Sequence, residues 1–474
     1  MRWDAFTGPS YTSQSIVADS QRCVNWYPEL IESRQGKNTR FALYPCPGVR
    51  KFVELPKAPI RGLFAKNNRA FAAGGSSVYE LIDNGSYVER MSGLATDQYP
   101  VTWATNGDAG NQLAACSGER VYVLRLNTNV FAGAVASDVT MIDYLDGYIL
   151  GLDINESRLR ISALADAETW TASQNSQRNT AADRWQHMIV ANRLIYLFGS
   201  ETMECWSNQG GSPYPFAAVI ESFRQVGIMN PFAGCNAGGT PLFVVGSTDG
   251  RGTICKVSGY DPVRISNHAV EYAIQQYTTV TDLRAYSYSA DGHLFGVFSF
   301  PTARGTWVYD PTVDGFHERL FWNAPLTRFD ASRQLFHCFA FGKHLVGDRD
   351  GNTVYELRTD TYQDVNAQAI RRLRRTPHLH AEDDWITYHR VALDVETGVG
   401  LATGQGHNPQ LMLRWSNDGG RTWGNDHSRS AGKAGEYTAH PEWRRGGRAR
   451  DRVFELVTSD PVPFRIINAY LETS

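Results

Sequence analysis

His378, His380, Glu382, Asp383, Asp384 and His389 are residue types that ligate metals, and they fall within a dozen positions of one another. Two histidines two apart on a strand point to the same face and would present two imidazoles to one ion. The three acids between them read instead as a solvated loop, and no cysteine or further spaced ligand completes a shell. No phosphate-cradling Gly-rich loop, G-x-S-x-G elbow or H-E-x-x-H pair occurs either, so no cofactor and no metal are expected.

A second constellation is Ser416-Asn417-Asp418-Gly419-Gly420-Arg421-Thr422-Trp423. It matches the S-x-D-x-G-x-T-W pattern called the Asp box, found on hairpins of sialidases and other β-proteins. Ser416 and Asp418 would bond backbone groups of the turn, Gly420 would take the positive φ, and Trp423 would pack underneath. That role is structural. A sialidase would further need three convergent arginines, a tyrosine nucleophile with a glutamate beside it, and an acid aspartate. No spacing singles out such a set, and the box lies outside the repeats described below. A glycan-binding or sialidase-like propeller is carried as the alternative, and no catalytic residue is assigned.

Two arginine segments complete the inventory. One holds Arg371, Arg372, Arg374 and Arg375; the other holds Arg444, Arg445, Arg448 and Arg450. Arginine suits interfaces because its planar fork makes several directed bonds and stacks on aromatics. An exposed strand edge guarded by charge is the competing reading. DNA contact is possible only locally, because the net charge of −3 lacks the surplus of cations that unspecific phosphate binding requires.

These groups must be positioned by β-structure. Seven times between Leu63 and Leu357 an apolar run, a Gly-containing turn and a second apolar run recur, and the second run closes on a segment such as Val78-Tyr79-Glu80-Leu81, Val121-Tyr122-Val123-Leu124 or Val354-Tyr355-Glu356-Leu357. The spacing of about 46 residues is that of four-stranded propeller blades. Seven blades are expected, with six and an irregular insertion as the alternative. Asp83-Asn84-Gly85, Asp146-Gly147, Asp249-Gly250, Asp291-Gly292 and Asp350-Gly351 supply positive φ for tight hairpins. The reading is all-β: an extended N-terminal arm over 1–55, a β-propeller over 56–364, and a β-sandwich-like domain over 365–474. Seven scattered cysteines with no C-x-x-C pair are expected to be free and buried. The absence of a long apolar run or a signal-peptide core implies no membrane insertion and synthesis in a cytoplasm.

The block Leu197-Phe-Gly-Ser-Glu-Thr-Met-Glu-Cys-Trp-Ser-Asn-Gln-Gly210 resembles a stretch of the tail hub proteins of short-tailed bacteriophages, also called packaged-DNA stabilisation proteins or tail accessory factors. Tyr44-Pro45-Cys46-Pro47-Gly48-Val49, Leu413-Arg414-Trp415-Ser416-Asn417-Asp418-Gly419, Trp443-Arg444-Arg445-Gly446 and Val462-Pro463-Phe464 are similar to further segments of that family. The C-terminal blocks also occur in other phage tail proteins, so another tail or baseplate component is the third reading. The resemblance implies a non-enzymatic virion protein made in the bacterial host. It would form a ring, hexameric in the family, below the portal and its adaptor. That ring would close the channel over packaged DNA and carry the tail needle and the tailspikes or fibres. Glu204 and Thr202 of the matched block would then support a blade turn or a subunit contact.

Overall fold

Each of the seven signature segments becomes the third of four neighbouring antiparallel strands in the computed structural model, which describes residues 2–31, 41–97, 99–247, 250–382 and 384–474; six blades are separate four-stranded sheets and the sixth continues into a sheet of the sandwich. The first blade consists of Ile60–Lys66, Arg69–Gly74, Ser77–Leu81 and Tyr87–Ser92. The third strands of the next six are Arg120–Arg125, Arg158–Ile161, Met203–Asn208, Ile254–Ser258, Gly305–Asp310 and Thr353–Arg358. These strands read as nearly continuous apolar runs because neighbouring blades cover both of their faces.

Two-residue turns join first to second strands in every blade but the second, where the short helix Gly107–Gly110 intervenes. Asp146 and Gly147 take φ of 50° and 89°, and Asp291 and Gly292 take 51° and 83°; the left-handed pair matches the twist of the strands it connects. Gly85 also has positive φ, at 81°. Asp350-Gly351 differs: Gly351 is not left-handed, and the Asp348 carboxylate holds this turn by accepting the Asp350 N–H at 3.1 Å. Asp249 lies outside the described residues.

The ring of blades closes on itself. The innermost strand of the seventh blade, Gln334–Ala340, lies against Ile60–Lys66 of the first. The fourth strand of that seventh blade is Gly48–Glu54, which precedes the first blade in sequence and pairs antiparallel with Thr353–Arg358. A strand from one end of the repeat thus locks the other. At one mouth of the axis the loops entering the second and fifth blades meet, with the rings of Tyr99 and Phe232 6.4 Å apart.

The other described N-terminal residues join the sandwich and do not stand apart as an arm. Ser20–Val24 adds to one sheet of the C-terminal sandwich beside Arg372–Arg375, followed by Asp451–Thr458, Gln410–Ser416 and His427–Ser430. After Asn25 the chain crosses to the other sheet. There Trp26–Leu30 and Phe41–Pro45 precede Ile466–Thr473, Ile386–Val395 and Glu442–Ala449. Trp3, Phe6, Trp26 and Leu43 enter one core with Leu411, Leu413, Phe454 and Phe464. Trp26 is wholly buried, and its indole N–H donates to the Phe464 carbonyl at 3.0 Å.

Asn25 explains the crossing. It adopts φ 57°, a left-handed conformation that asparagine tolerates better than most residues. Its side chain accepts from the Leu320 N–H and donates to the carbonyls of Leu320 and Arg371, all within 2.9 Å. One residue thereby fastens both sandwich sheets to the propeller. Val24 continues the connection by bridging in parallel to Glu318 of the sixth blade. All seven cysteines are free and six are buried. No helix among the described residues is long and apolar enough to cross a membrane.

Candidate assembly interface

Alternation along Arg372–Arg375 sends Arg372 and Arg374 to one face and Leu373 and Arg375 to the other. Arg372 and Arg374 are both wholly buried. Arg374 donates to the carbonyls of Ala5, Phe6 and Pro9 at 3.2, 2.6 and 3.1 Å and to Gln21 Oε1 at 2.8 Å. These carbonyls belong to an N-terminal turn that is also tied to strand Ile466–Thr473 by the Trp3 N–H, which donates to the Ala469 carbonyl at 2.8 Å. No carboxylate is hydrogen-bonded to it, and burial outweighs the attraction of Cys23 and Asp19 and lowers the Arg374 guanidinium to about 10. Arg372 is lowered to about 10 in the same way; it reaches the Asp460 carbonyl at 3.2 Å and lies over Tyr362.

The other two residues of the run also act within the chain. Arg375 donates twice to the fully buried Glu455, at 2.9 and 2.7 Å, and Arg414 grips the other oxygen of that carboxylate at 2.8 Å. Arg371 lies 4.5 Å over Trp322. Neither an exposed guarded edge nor a surface open to a neighbour describes Arg372 and Arg374. The interface they make is internal, between the N-terminal segment, the sandwich and the propeller. A run of five residues with four arginines gave no sign of this, because its bonding partners lie 80 to 369 positions away.

The second segment is different. Glu442–Ala449 is the outermost strand of its sheet, and Arg444, Arg445, Arg448 and Arg450 are all exposed. Arg444 is held to Glu442 at 2.8 Å, and Arg448 and Arg450 both lie 5.3 Å from the half-exposed Trp385 ring. Arg445 projects from a left-handed backbone at φ 60°.

The block around Glu204 forms a buried polar network in the fourth blade. Glu204, 2% exposed, accepts from the Trp185 indole at 2.9 Å and from Thr180 at 3.0 Å, and faces Arg178 at 3.3 Å. Thr202 donates to Asp183 at 2.9 Å and accepts from Arg178. Gly199 leaves room beside it: a Cβ there would sit 2.1 Å from Asp183 Oδ2 and would displace that carboxylate. This motif braces a blade turn.

Sequence comparison agrees with the architecture. Residues 19–362 match the family model described as bacteriophage P22 Gp10, β-propeller, and residues 371–474 match that of bacteriophage P22 Gp10, β-sandwich. The chain belongs to the bacteriophage P22 Gp10 family. It is therefore a structural phage tail protein of the hub type, a virion component. No curated protein sequence matches. Among solved structures, similar chains include the computationally designed Ika8 protein (12% identity, 71% of this chain and 100% of that one, TM-score 0.40). The N-terminal domain of Nup159 (13%, 72% and 99%, 0.40) and BamB from Moraxella catarrhalis (9%, 71% and 97%, 0.41) are others.

The Asp box of this Gp10-family chain stabilises its turn. Asp418 accepts from the backbone N–H of Arg421 and Thr422 and from the Thr422 hydroxyl, at 2.6 to 3.0 Å. Ser416 donates to Asp418 at 2.6 Å and accepts the Gly420 N–H at 2.8 Å. Hydrogen bonds to the ionised form hold the Asp418 carboxyl far below the usual carboxylate range. Gly420 has φ 95°, and Trp423 lies beneath Arg375 and Arg414 at 4.9 and 5.1 Å. The box thus leans on the same Arg375–Glu455–Arg414 clamp.

The histidine cluster does not converge. His378 sits between Asp451 at 2.8 Å and the Ile16 carbonyl at 2.7 Å, whereas His389 bonds Ser474. His380, Glu382 and Asp384 are exposed, and Asp383 lies outside the described residues. Three arginines, Arg304, Arg328 and Arg349, do share one shallow surface depression. Arg328 is paired with Asp330 and Arg349 with Asp350, and no tyrosine or glutamate lines it.

One polar group escaped sequence reasoning altogether. His293 in the sixth blade bridges Asp310 at 2.7 Å and Glu29 of strand Trp26–Leu30 at 2.8 Å. Burial opposes its charge, but the two carboxylates outweigh that and raise its pKa. Glu29 and His293 are 264 residues apart, so no local pattern joins them.

Proposed function

We propose that this chain is the tail hub of its phage: copies assemble as a ring, hexameric as the family resemblance implies, below the portal and its adaptor. The ring closes the channel after packaging and retains the DNA, with only local contact between protein and nucleic acid. It also carries the tail needle and the tailspikes or fibres. The chain acts by binding and mechanical closure and catalyses no reaction.

The observation carrying this reading is the interlocking of propeller and sandwich by one N-terminal segment, which supplies strands to both. A closure that resists internal pressure needs domains that cannot hinge apart, and heterologous ring contacts need several rigid surfaces. In this reading the exposed arginines of Glu442–Ala449 face a neighbour. Replacing Arg444 and Arg445 together by Glu leaves the fold intact and blocks assembly; a complete tail from that variant refutes the role.

The broader test is disruption of the gene in the phage that carries it, followed by electron microscopy and assay of particle DNA. Heads that package DNA, lose it and lack a tail tip are expected. Stable, filled particles with complete tails overturn the hub reading.

A further inference from the structure

His317 and Arg319 flank Glu318 where the sixth blade ends, and alternation turns these side chains two ways. Glu318 goes to one face, where Arg22 donates to it at 2.9 Å. His317 and Arg319 go to the other, into the seam between the blade and strand Trp26–Leu30. There Arg319, 4% exposed, lies 5.4 Å from the Tyr288 ring and 5.8 Å from that of Phe295. His317, wholly buried, has its ring 6.0 Å from Phe295 and 6.1 Å from Tyr27.

The cluster is rich in donors and poor in negative charge. All three Arg319 nitrogens, both His317 ring nitrogens and the Tyr288 hydroxyl are buried without a hydrogen-bond partner among the described residues. The two aromatic faces attract the cation but leave the N–H donors in its plane unmet. Asp310 and Glu29, in the same seam, are taken by His293 at 2.7 and 2.8 Å. Cys46, Tyr286 and Tyr288 would attract the guanidinium as anions, yet burial pushes all three groups up, so they are uncharged at neutral pH. A second cation adds to the imbalance: Arg372, wholly buried, also acts on Cys46, and its Nε and Nη2 have no partner among the described residues. An unpaired buried charge is costly, and a counter-ion removes the cost.

We propose that Arg319, His317 and Tyr288 bind one small inorganic anion of the halide class, chloride first, inside this seam. Charge names the class, because the unmet charged groups are cations and the acids beside them are committed. Burial sets the size: these atoms are shut off from solvent, and a monatomic ion disturbs close packing less than sulfate or phosphate does. The guanidinium and the phenol donate to the ion, and the imidazole, held neutral by burial and by the Arg319 charge, supplies one further N–H. Such an ion fastens the domain junction. Cys46 lies where the chain leaves sandwich strand Phe41–Pro45 for blade strand Gly48–Glu54, and its N–H donates to the Asn25 carbonyl at 3.0 Å. The site belongs to the single chain and does not depend on ring assembly.

The test melts the purified full-length chain in sodium chloride and in sodium gluconate at equal ionic strength. A ligand that binds only the folded chain raises its melting midpoint, here by about 3 °C or more between about 1 and 100 mM chloride. Arg319→Met keeps most of the side-chain volume, removes the cation and melts alike in both salts. Tyr288→Phe deletes only the hydroxyl and weakens the response to chloride by roughly tenfold. Crystals grown in bromide show an anomalous peak within hydrogen-bonding reach of Arg319. A wild-type chain that melts alike in both salts, an Arg319→Met variant that still responds, or bromide at adventitious surface positions only overturns the site. Should Arg319→Met fail to fold, Tyr288→Phe and the bromide map decide.

Discussion

Arg374 gives the sharpest test of whether the first arginine segment joins parts of one chain or separate chains. Arg374→Met keeps most of the side-chain volume and removes the guanidinium. Four acceptors within 3.2 Å then lose their donor, the Ala5, Phe6 and Pro9 carbonyls and Gln21 Oε1, besides the Arg22 carbonyl at a weak 3.4 Å. Hydrogen bonds to a charged group contribute about 1.5–3 kcal/mol each, so the gross loss is about 6–12 kcal/mol. Against this stands the relief of burying a cation with no carboxylate bonded to it. The fall in its pKa from 12.5 to about 10 corresponds to about 3 kcal/mol. The difference starts at about 3 kcal/mol, and the lower end applies because a loosened N-terminus can rehydrate its carbonyls. That free energy is about a hundredfold in a local opening equilibrium, since each 1.4 kcal/mol is a factor of ten. Amide hydrogen exchange over residues 2–24 is the assay, because opening there need not unfold the blades. Exchange should rise about a hundredfold in this segment and stay unchanged in the first five blades. Unchanged exchange together with lost self-association would refute the reasoning and put Arg374 between subunits.

Three further outcomes follow from particular contacts. Asn25→Ala removes three bonds between sandwich and propeller and places alanine at φ 57°; we expect a loss of about 2–4 kcal/mol, read as separation of the two domains' melting transitions. Gly199→Ala drives a methyl into Asp183 and Arg178 and breaks the Glu204 network, costing about 3–5 kcal/mol in thermal unfolding; a stable variant would show that the network can move aside. For His293 the sign follows from its raised pKa: protonated, it serves both Asp310 and Glu29, whereas the neutral ring has a single N–H. Its contribution is complete below the ordinary histidine value of about 6.5 and is lost as pH rises through the elevated folded value. Exchange in Trp26–Leu30 should therefore increase toward alkaline pH, and His293→Gln should abolish that dependence.

Period and turn chemistry carried the propeller because both act over short distances. A hydrophobic run, a turn and a closing Val-Tyr-like pair are local facts, so the third strand of every blade was legible from residue types alone. The Asp box was legible for the same reason: Asp418 binds groups within four positions of itself. Tertiary structure alone decided where the described residues among the first 55 go. Trp26 meets Phe464, and Asn25 meets Leu320, across separations of 438 and 295 residues. Pairing at that range leaves no periodic mark in either segment. The two arginine segments show the same limit from the side of charge. Both are rich in cations, yet one is a central strand and the other an edge. Burial of a cation depends on the acceptors the rest of the chain brings to it, and for Arg374 these are carbonyls, which every residue possesses and no sequence pattern displays.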